Sequence, residues 1–138
     1  MRYNSNINFI LGSKMRDGKR VILCVDDDMD VLNYLSLTLQ AEGFFVIQAA
    51  TAEEGLKKYR EHSPDLVIVD LMMEEVDSGA QLCKELRALQ NKAPVYVLSS
   101  VGDDMHETID TQELGVSGVF QKPLDKNTLL KVIRARLS

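Results

Sequence analysis

Four short apolar runs in this chain each end in a polar group of a kind that handles phosphate or a divalent cation. Leu66-Val67-Ile68-Val69 ends in Asp70, and Val21-Ile22-Leu23-Cys24-Val25 ends in Asp26-Asp27-Asp28. Val95-Tyr96-Val97-Leu98 ends in Ser99, and Val119-Phe120-Gln121 ends in Lys122-Pro123. An aspartate delivered by a buried strand is not a packing residue, because a lone buried carboxylate is strongly disfavoured. If Asp26, Asp27 and Asp70 converge within ~5 Å, each pair repels by about 3 kcal/mol at an effective dielectric near 20, so a proton or a shared cation must relieve them. A hard, oxygen-rich site with room for water suits Mg2+. With a cation present, Asp70 can take a phosphoryl group as an acyl phosphate. Ser99 can donate a hydroxyl to a phosphoryl oxygen, and Lys122 can supply an ammonium.

Whether these groups meet depends on the elements that carry them. From Arg20 onward, short apolar runs alternate with helical patterns, five of each, which is the signature of βα units and a parallel sheet. The expected strands are Arg20 to Val25, Phe44 to Gln48, Leu66 to Val69, Val95 to Leu98 and Gly118 to Gln121. The first helix spans Asp28 to Glu42, with Val31, Leu32, Leu35 and Leu39 on one face and Gly43 as its stop. The second opens on Thr51-Ala52-Glu53-Glu54, a capping box, and ends near His62 before Pro64. The third runs from Ser78 to Gln90 with Leu82, Cys83, Leu86 and Leu89 buried. The fourth, Asp103 to Leu114, shows only Met105, Ile109 and Leu114 as an apolar stripe and is the candidate moving part. The fifth spans Asp125 to Leu137 and buries Leu129, Leu130, Ile133 and Leu137.

Five such units give a doubly wound (βα)5, flavodoxin-like three-layer α/β sandwich with strand order 2-1-3-4-5. In open parallel sheets ligands bind beyond the carboxyl ends of the strands, where the order reverses. That crevice lies between the first and third strands and brings Asp26, Asp27 and Asp70 together. The second strand, which ends without a reactive group, falls on the far edge.

The bulk composition fits one domain. At 45% hydrophobic and 27% charged residues the chain is of ordinary globular type, and no apolar run is long enough to span a bilayer. Cys24 and Cys83 lack metal-ligand spacing and read as inert core thiols in a reducing cytoplasm. Residues 1–20 hold five cations against Asp17, so the net charge of -5 leaves -9 on the remainder. An acidic body argues against direct nucleic-acid binding, which relies on Lys and Arg releasing counterions. Residues 1–18 lack periodicity and read as a flexible leader ahead of a domain at 19–138, with Met15 an alternative start.

Taken together and in order, Val25-Asp26-Asp27, Asp70-Leu71-Met72-Met73, Asp77-Ser78-Gly79, Ser99 and Gly118 to Lys122-Pro123 resemble the response-regulator receiver domain of two-component signalling systems. The resemblance covers nearly all of 19–138. It implies that Asp26 and Asp27 hold Mg2+, that Asp70 is the phosphorylated residue and also a metal ligand, and that Met72 adds its backbone carbonyl. Ser99 and Lys122 match the family's hydroxyl residue and lysine, and the Lys122-Pro123 peptide is expected cis. A histidine kinase or histidine phosphotransfer protein is the implied phosphoryl donor. A target protein would read the surface of helix four, strand five and helix five. Such a protein catalyses only its own phosphorylation and slow dephosphorylation. Slow loss is expected because Met72 and Val101, which flank the phosphate, are apolar.

With no effector domain following in the sequence, output is expected through a partner. Acids on helix four (Asp103, Asp104, Glu107, Asp110, Glu113) and bases on helix five (Lys126, Lys131, Arg134, Arg136) raise a homodimer as a further expectation.

Other readings stand beside these. Asp28 reads as a helix N-cap rather than a ligand. Either Ser99 or Ser100 could serve, with register favouring Ser99. His62 and His106 lack ligand spacing and read as exposed, and Met72-Met73 reads as a packing element. Three positions depart from the family pattern: Glu74-Glu75 where a proline is usual, Ser78 where glycine is usual, and Val119 where an aromatic is usual. Phe120, beside Val119, should point to the other face of the sheet. The alternatives are a phosphorylation-independent interaction module and a Mg2+-dependent phosphatase with an aspartyl nucleophile.

Overall fold

The computed structural model describes residues 18–73, 77–100 and 110–137. Outside them lie most of the leader, Glu74 and Glu75, Val101, His106, and the helix-four residues Asp103, Asp104, Met105, Glu107 and Ile109.

Five strands alternate with five helices: β1 Val21–Val25, α1 Met29–Ala41, β2 Phe45–Ala49, α2 Ala52–His62, β3 Leu66–Asp70, α3 Ser78–Ala88, β4 Val95–Ser100, α4 Thr111–Leu114, β5 Gly118–Lys122 and α5 Lys126–Leu137. All strand pairs are parallel, in the order β2-β1-β3-β4-β5. β1 and β3 therefore lie side by side, with Cys24 opposite Ile68 and Val25 opposite Val69. This is the flavodoxin-like doubly wound arrangement that the alternation predicts.

The apolar runs are continuous because both faces of the sheet are covered. Val21, Leu23, Val25, Val67, Val69, Val95 and Val97 meet Leu82, Cys83 and Leu86 of α3, with Leu56 and Tyr59 of α2 against them. On the other face Ile22, Cys24, Leu66, Ile68, Tyr96, Leu98 and Phe120 meet Leu32, Leu35 and Leu39 of α1 and Leu129, Leu130 and Ile133 of α5. Phe120 thus points away from Val119, as alternation requires, and stacks on Tyr96 with ring centroids 5.1 Å apart. Both cysteines are buried, and burial pushes the Cys24 thiol up to about 12 and the Cys83 thiol to about 11.

The helix starts follow their caps. Asp28 accepts the Asp30 N–H ahead of α1. Thr51 accepts the Glu54 N–H, while the Glu54 carboxylate reaches back to Ala50 N, one residue before the cap.

Three helix details differ from expectation. α3 ends at Ala88, so Leu89 leaves the buried stripe and is 42% exposed. Val31 and Leu137 are only partly buried against their core layer. The helix that ends at Leu114 does not run through Asp110, which is extended (φ -87°, ψ 97°) and whose carboxylate caps a short helix beginning at Thr111. A capping acid, once committed to free N–H groups, starts a helix rather than extending one.

Candidate functional site

The carboxyl ends of β1 and β3 set the site. β1 stops at Val25, and Asp26 N–H still donates to Ala49 O at 3.1 Å, so the residue keeps its place beside β2. The turn then closes on the side chain: Asp26 Oδ1 accepts the Asp28 N–H at 3.0 Å. The Asp26-Asp27-Asp28 order is therefore a division of labour, with Asp26 turned inward and fully buried, Asp27 exposed, and Asp28 capping α1. β3 carries Asp70 to the same level, 4% exposed, where its Oδ1 accepts the Met72 N–H at 3.2 Å. One carboxylate oxygen from each of Asp26, Asp27 and Asp70 can be chosen so that all three lie within 4.8 Å of one another.

β5 brings the opposing charge. Lys122 Nζ lies 3.0 Å from Asp26 Oδ2 and 3.4 Å from Asp70 Oδ2. Its peptide to Pro123 is cis, as expected. Asp26 Oδ2 is buried and accepts no aligned hydrogen bond, so the ammonium is its ion partner without satisfying its lone pairs. Burial is the largest influence on Asp70, and repulsion from Asp26 adds to it. Against the pull of Lys122 and the Met72 N–H, the two raise its carboxyl to about 6. For Lys122, burial disfavours the charge, but its pairing with Asp26, then with Asp70, outweighs it and raises its pKa.

The remaining expected positions separate. Ser99 and Ser100 end β4 half-buried, beside Gln121 and Lys122 respectively, and the described partners of the Asp70 carboxylate are Met72 N and Lys122 Nζ. Of the methionine pair, Met73 packs in the core and Met72 is 52% exposed. His62 is partly buried rather than exposed, ending α2 far from the site with Nε2 3.8 Å from Glu61 Oε1. Ala49 O and Asp28 N–H, the backbone groups that fix Asp26, were missed from the sequence. The Asp-x-Asp spacing ahead of a helix is the signal for such a turn.

The chain belongs to the response regulator receiver domain family, whose description matches residues 22–134. The transcriptional regulatory protein GlrR of Escherichia coli (strain K12) is 39% identical over 112 residues, covering 81% of this chain and 25% of that protein. The alkaline phosphatase synthesis transcriptional regulatory protein PhoP of Bacillus subtilis (strain 168) is 31% identical over 116 residues, covering 84% of this chain and 48% of that protein. The chain thus spans between a quarter and a half of these curated relatives.

Among solved structures, the chemotaxis response regulator CheY4 of Vibrio cholerae superposes with a TM-score of 0.75 at 28% identity, covering 86% of this chain and 98% of that one. A response regulator receiver domain protein from Clostridium thermocellum gives a TM-score of 0.75 at 27% identity, covering 85% and 93%.

Proposed function

We propose that this domain is a phosphoacceptor switch in which Asp70 takes a phosphoryl group from a histidine kinase or a histidine phosphotransfer protein. The observation that carries the reading is the bridging of two buried carboxylates, Asp26 and Asp70, by Lys122, with Asp26 Oδ2 lacking a hydrogen bond. That unsatisfied oxygen, and the approach of one carboxylate oxygen from each of Asp26, Asp27 and Asp70 to within 4.8 Å of the others, suit a hard divalent cation, and the Met72 carbonyl is proposed to complete its protein ligands. Bound there, Mg2+ would neutralise charge on the transferring oxygens.

The chain's own groups do the rest. An Asp70 oxygen forms the bond to phosphorus while the donor's imidazole nitrogen leaves with the bonding pair. Lys122 pairs with the phosphoryl oxygens, and the Ser99 hydroxyl donates to one of them. The acceptor must be ionised to attack, and Lys122 and the cation both favour that form. The domain turns over no separate substrate.

We place the domain in the cytoplasm, with its proposed histidine-kinase or phosphotransfer donor; separately, among the described residues no helix is long and apolar enough to cross a membrane. Incubation with acetyl phosphate and Mg2+ should add the mass of one phosphoryl group to the wild type and none to Asp70→Asn. No addition to the wild type would leave the phosphorylation-independent module as the better reading, and steady turnover of p-nitrophenyl phosphate would favour the phosphatase.

Phosphorylation adds about -1.5 to -2 charge beside Lys122 and would bias the face formed by α4, β5 and α5. A protein target is proposed to dock there, without direct nucleic-acid contact by this domain. A homodimer through the same face has less to draw on than the sequence suggests. Arg134 pairs with Glu42 of α1, and Arg136 donates to Ser117 Oγ while lying 5.9 Å over the Tyr96 ring. All four helix-five cations are exposed, and Lys126 and Lys131 are the two without such a contact among the described residues. Dimerisation is expected only after phosphorylation, and light scattering that stays monomeric at high concentration of the phosphorylated chain would exclude it.

A further inference from the structure

None of the α4 side chains is fully buried, Thr111 and Leu114 being half-buried with Val116 packing against the core just beyond, so apolar packing fixes this helix less firmly than α1, α3 or α5. Polar groups hold it at both ends. Asp110 Oδ1 accepts the N–H groups of Gln112 and Glu113 at 3.1 and 3.0 Å. At the far end the carbonyl of Gln112, which also accepts the Gly115 N–H at 3.2 Å, and that of Glu113, of the kind a helix terminus leaves short of partners, accept hydrogen bonds from one nitrogen of a neighbouring helix. Arg87 Nη1, on α3, reaches them at 3.3 and 3.1 Å.

Gly115 makes that approach possible. Its φ is +74°, and a Cβ there would stand 2.9 Å from Arg87 Cδ. The bland reading of Arg87 is a surface cation that favours the C-terminal end of its own helix, in whose last turn it lies. Its hydrogen bonds, however, go to α4.

The opposite end of α3 is fixed to the Asp70 segment. A Cβ on Gly79 would fall 2.1 Å from the Asp70 carbonyl oxygen and 2.7 Å from Leu71 Cα, so the first turn of α3 lies directly on the backbone that follows the acid. Between these ends Leu82, Cys83 and Leu86 are buried in one core layer. α3 is thus a rod of 11 residues, roughly 16 Å long, with the phosphoacceptor segment at one end and Arg87 at the other.

We propose that Arg87 is a positioning residue that clamps α4 to α3, so that a shift of the Asp70–Leu71 segment on phosphorylation is carried along α3 to α4. The relay rests on the reading of Asp70 as phosphoacceptor; the clamp itself does not. A pair of exposed hydrogen bonds has two discrete states, made and broken, as a switching element requires.

Arg87→Met keeps the aliphatic stem beside Gly115 and removes the donors, and Arg87→Lys restores a single charged donor. Amide hydrogen exchange on the whole chain, before and after incubation with acetyl phosphate and Mg2+, reads both parts. The amides of Leu114, Gly115 and Val116 donate to Asp110 and Thr111 carbonyls and are the reporters.

In unmodified Arg87→Met they should exchange about tenfold faster than in wild type, or about 1.4 kcal/mol, with Arg87→Lys between the two and the strand amides unchanged. Wild type should show a phosphorylation-dependent change at these amides. Arg87→Met should lose it while taking up phosphoryl groups at the wild-type rate. Equal exchange in unmodified Arg87→Met and wild type would overturn the clamp. A phosphorylation-dependent change that survives in Arg87→Met, or none in phosphorylated wild type, would overturn the relay. If wild type takes up no phosphoryl group, the phosphoacceptor reading and the relay fall together, and exchange in the unmodified proteins alone judges the clamp.

Discussion

Ser99 and Ser100 are adjacent hydroxyls at one strand end, and strand geometry separates them. Alternation puts Ser99 on the face of Val97 and Val119, with Gln121 as its partner on β5; Ser100 pairs with Lys122 and follows Leu98 on the other face. If Ser99 is the hydroxyl that meets the phosphoryl group, Ser99→Ala should slow uptake from acetyl phosphate by about tenfold. That is less than loss of a fully buried oxyanion donor, since Ser99 is half-buried. Ser100→Ala should change the rate little. Uptake rates of the two variants side by side check this, and a larger loss in Ser100→Ala would reverse the assignment. Residue types at strand ends made Asp26, Asp27, Asp70 and Lys122 legible from the sequence, because acids after a buried run leave few structural explanations. The pairing of Lys122 with Asp26, closer than with Asp70, was not legible, since it depends on where the β5 strand end sets the ammonium across the width of the sheet.

The three central strands could be read from the sequence because burial on both faces leaves near-continuous apolar runs, the edge strands β2 and β5 from shorter apolar runs, and the caps at Asp28 and Thr51 because one side chain and one N–H three or fewer residues away decide them. Helix four could not be read in the same way. Its periodicity across Asp103 to Leu114 spans Asp110, an acid whose side-chain bonds to Gln112 and Glu113 compete with helix continuation. What holds its last turn comes from Arg87, some 25 residues earlier in the chain, and no window of local pattern contains both partners. Leu89 shows the same limit on a smaller scale. It keeps the spacing of a core position, but the helix ends one residue before it and leaves it at the surface. Elements fixed by apolar burial are thus recoverable from periodicity, whereas one fixed by polar contacts at its ends becomes visible only in the assembled fold. The same contrast predicts which helix moves: breaking two exposed hydrogen bonds frees α4, while moving α1 or α5 would strip Leu35 or Ile133 from a closed core.

For the molecule as a whole, the carboxylate cluster links stability to proton and metal. In the metal-free protein Asp70 has a folded pKa of about 6 against an ordinary value of 3.8, so the folded state holds this proton more tightly than the unfolded chain does. Its contribution to stability is therefore fully present below pH 3.8 and is lost as pH rises through about 6. Lys122, with a raised pKa, stays charged throughout that window and does not reverse the sign.

A shift of this size is worth up to about 3 kcal/mol. Asn at position 70 also gives up the ion pair with Lys122, which offsets part of the gain. The expected result is that metal-free Asp70→Asn melts roughly 3–6 °C above wild type at pH 8, with the gap closing toward pH 4. Mg2+ changes the comparison, because a cation that binds only the folded protein stabilises it in proportion to its occupancy, and wild type keeps all three carboxylates. Saturating Mg2+ should raise the melting temperature of wild type more than that of Asp70→Asn and narrow the gap at pH 8. Calorimetric scans of both proteins from pH 4 to 8, with EDTA and with Mg2+, measure every part of this. A gap that is flat with pH would remove Asp70 as its source, and one that is unaltered by Mg2+ would show that the cluster does not hold the ion.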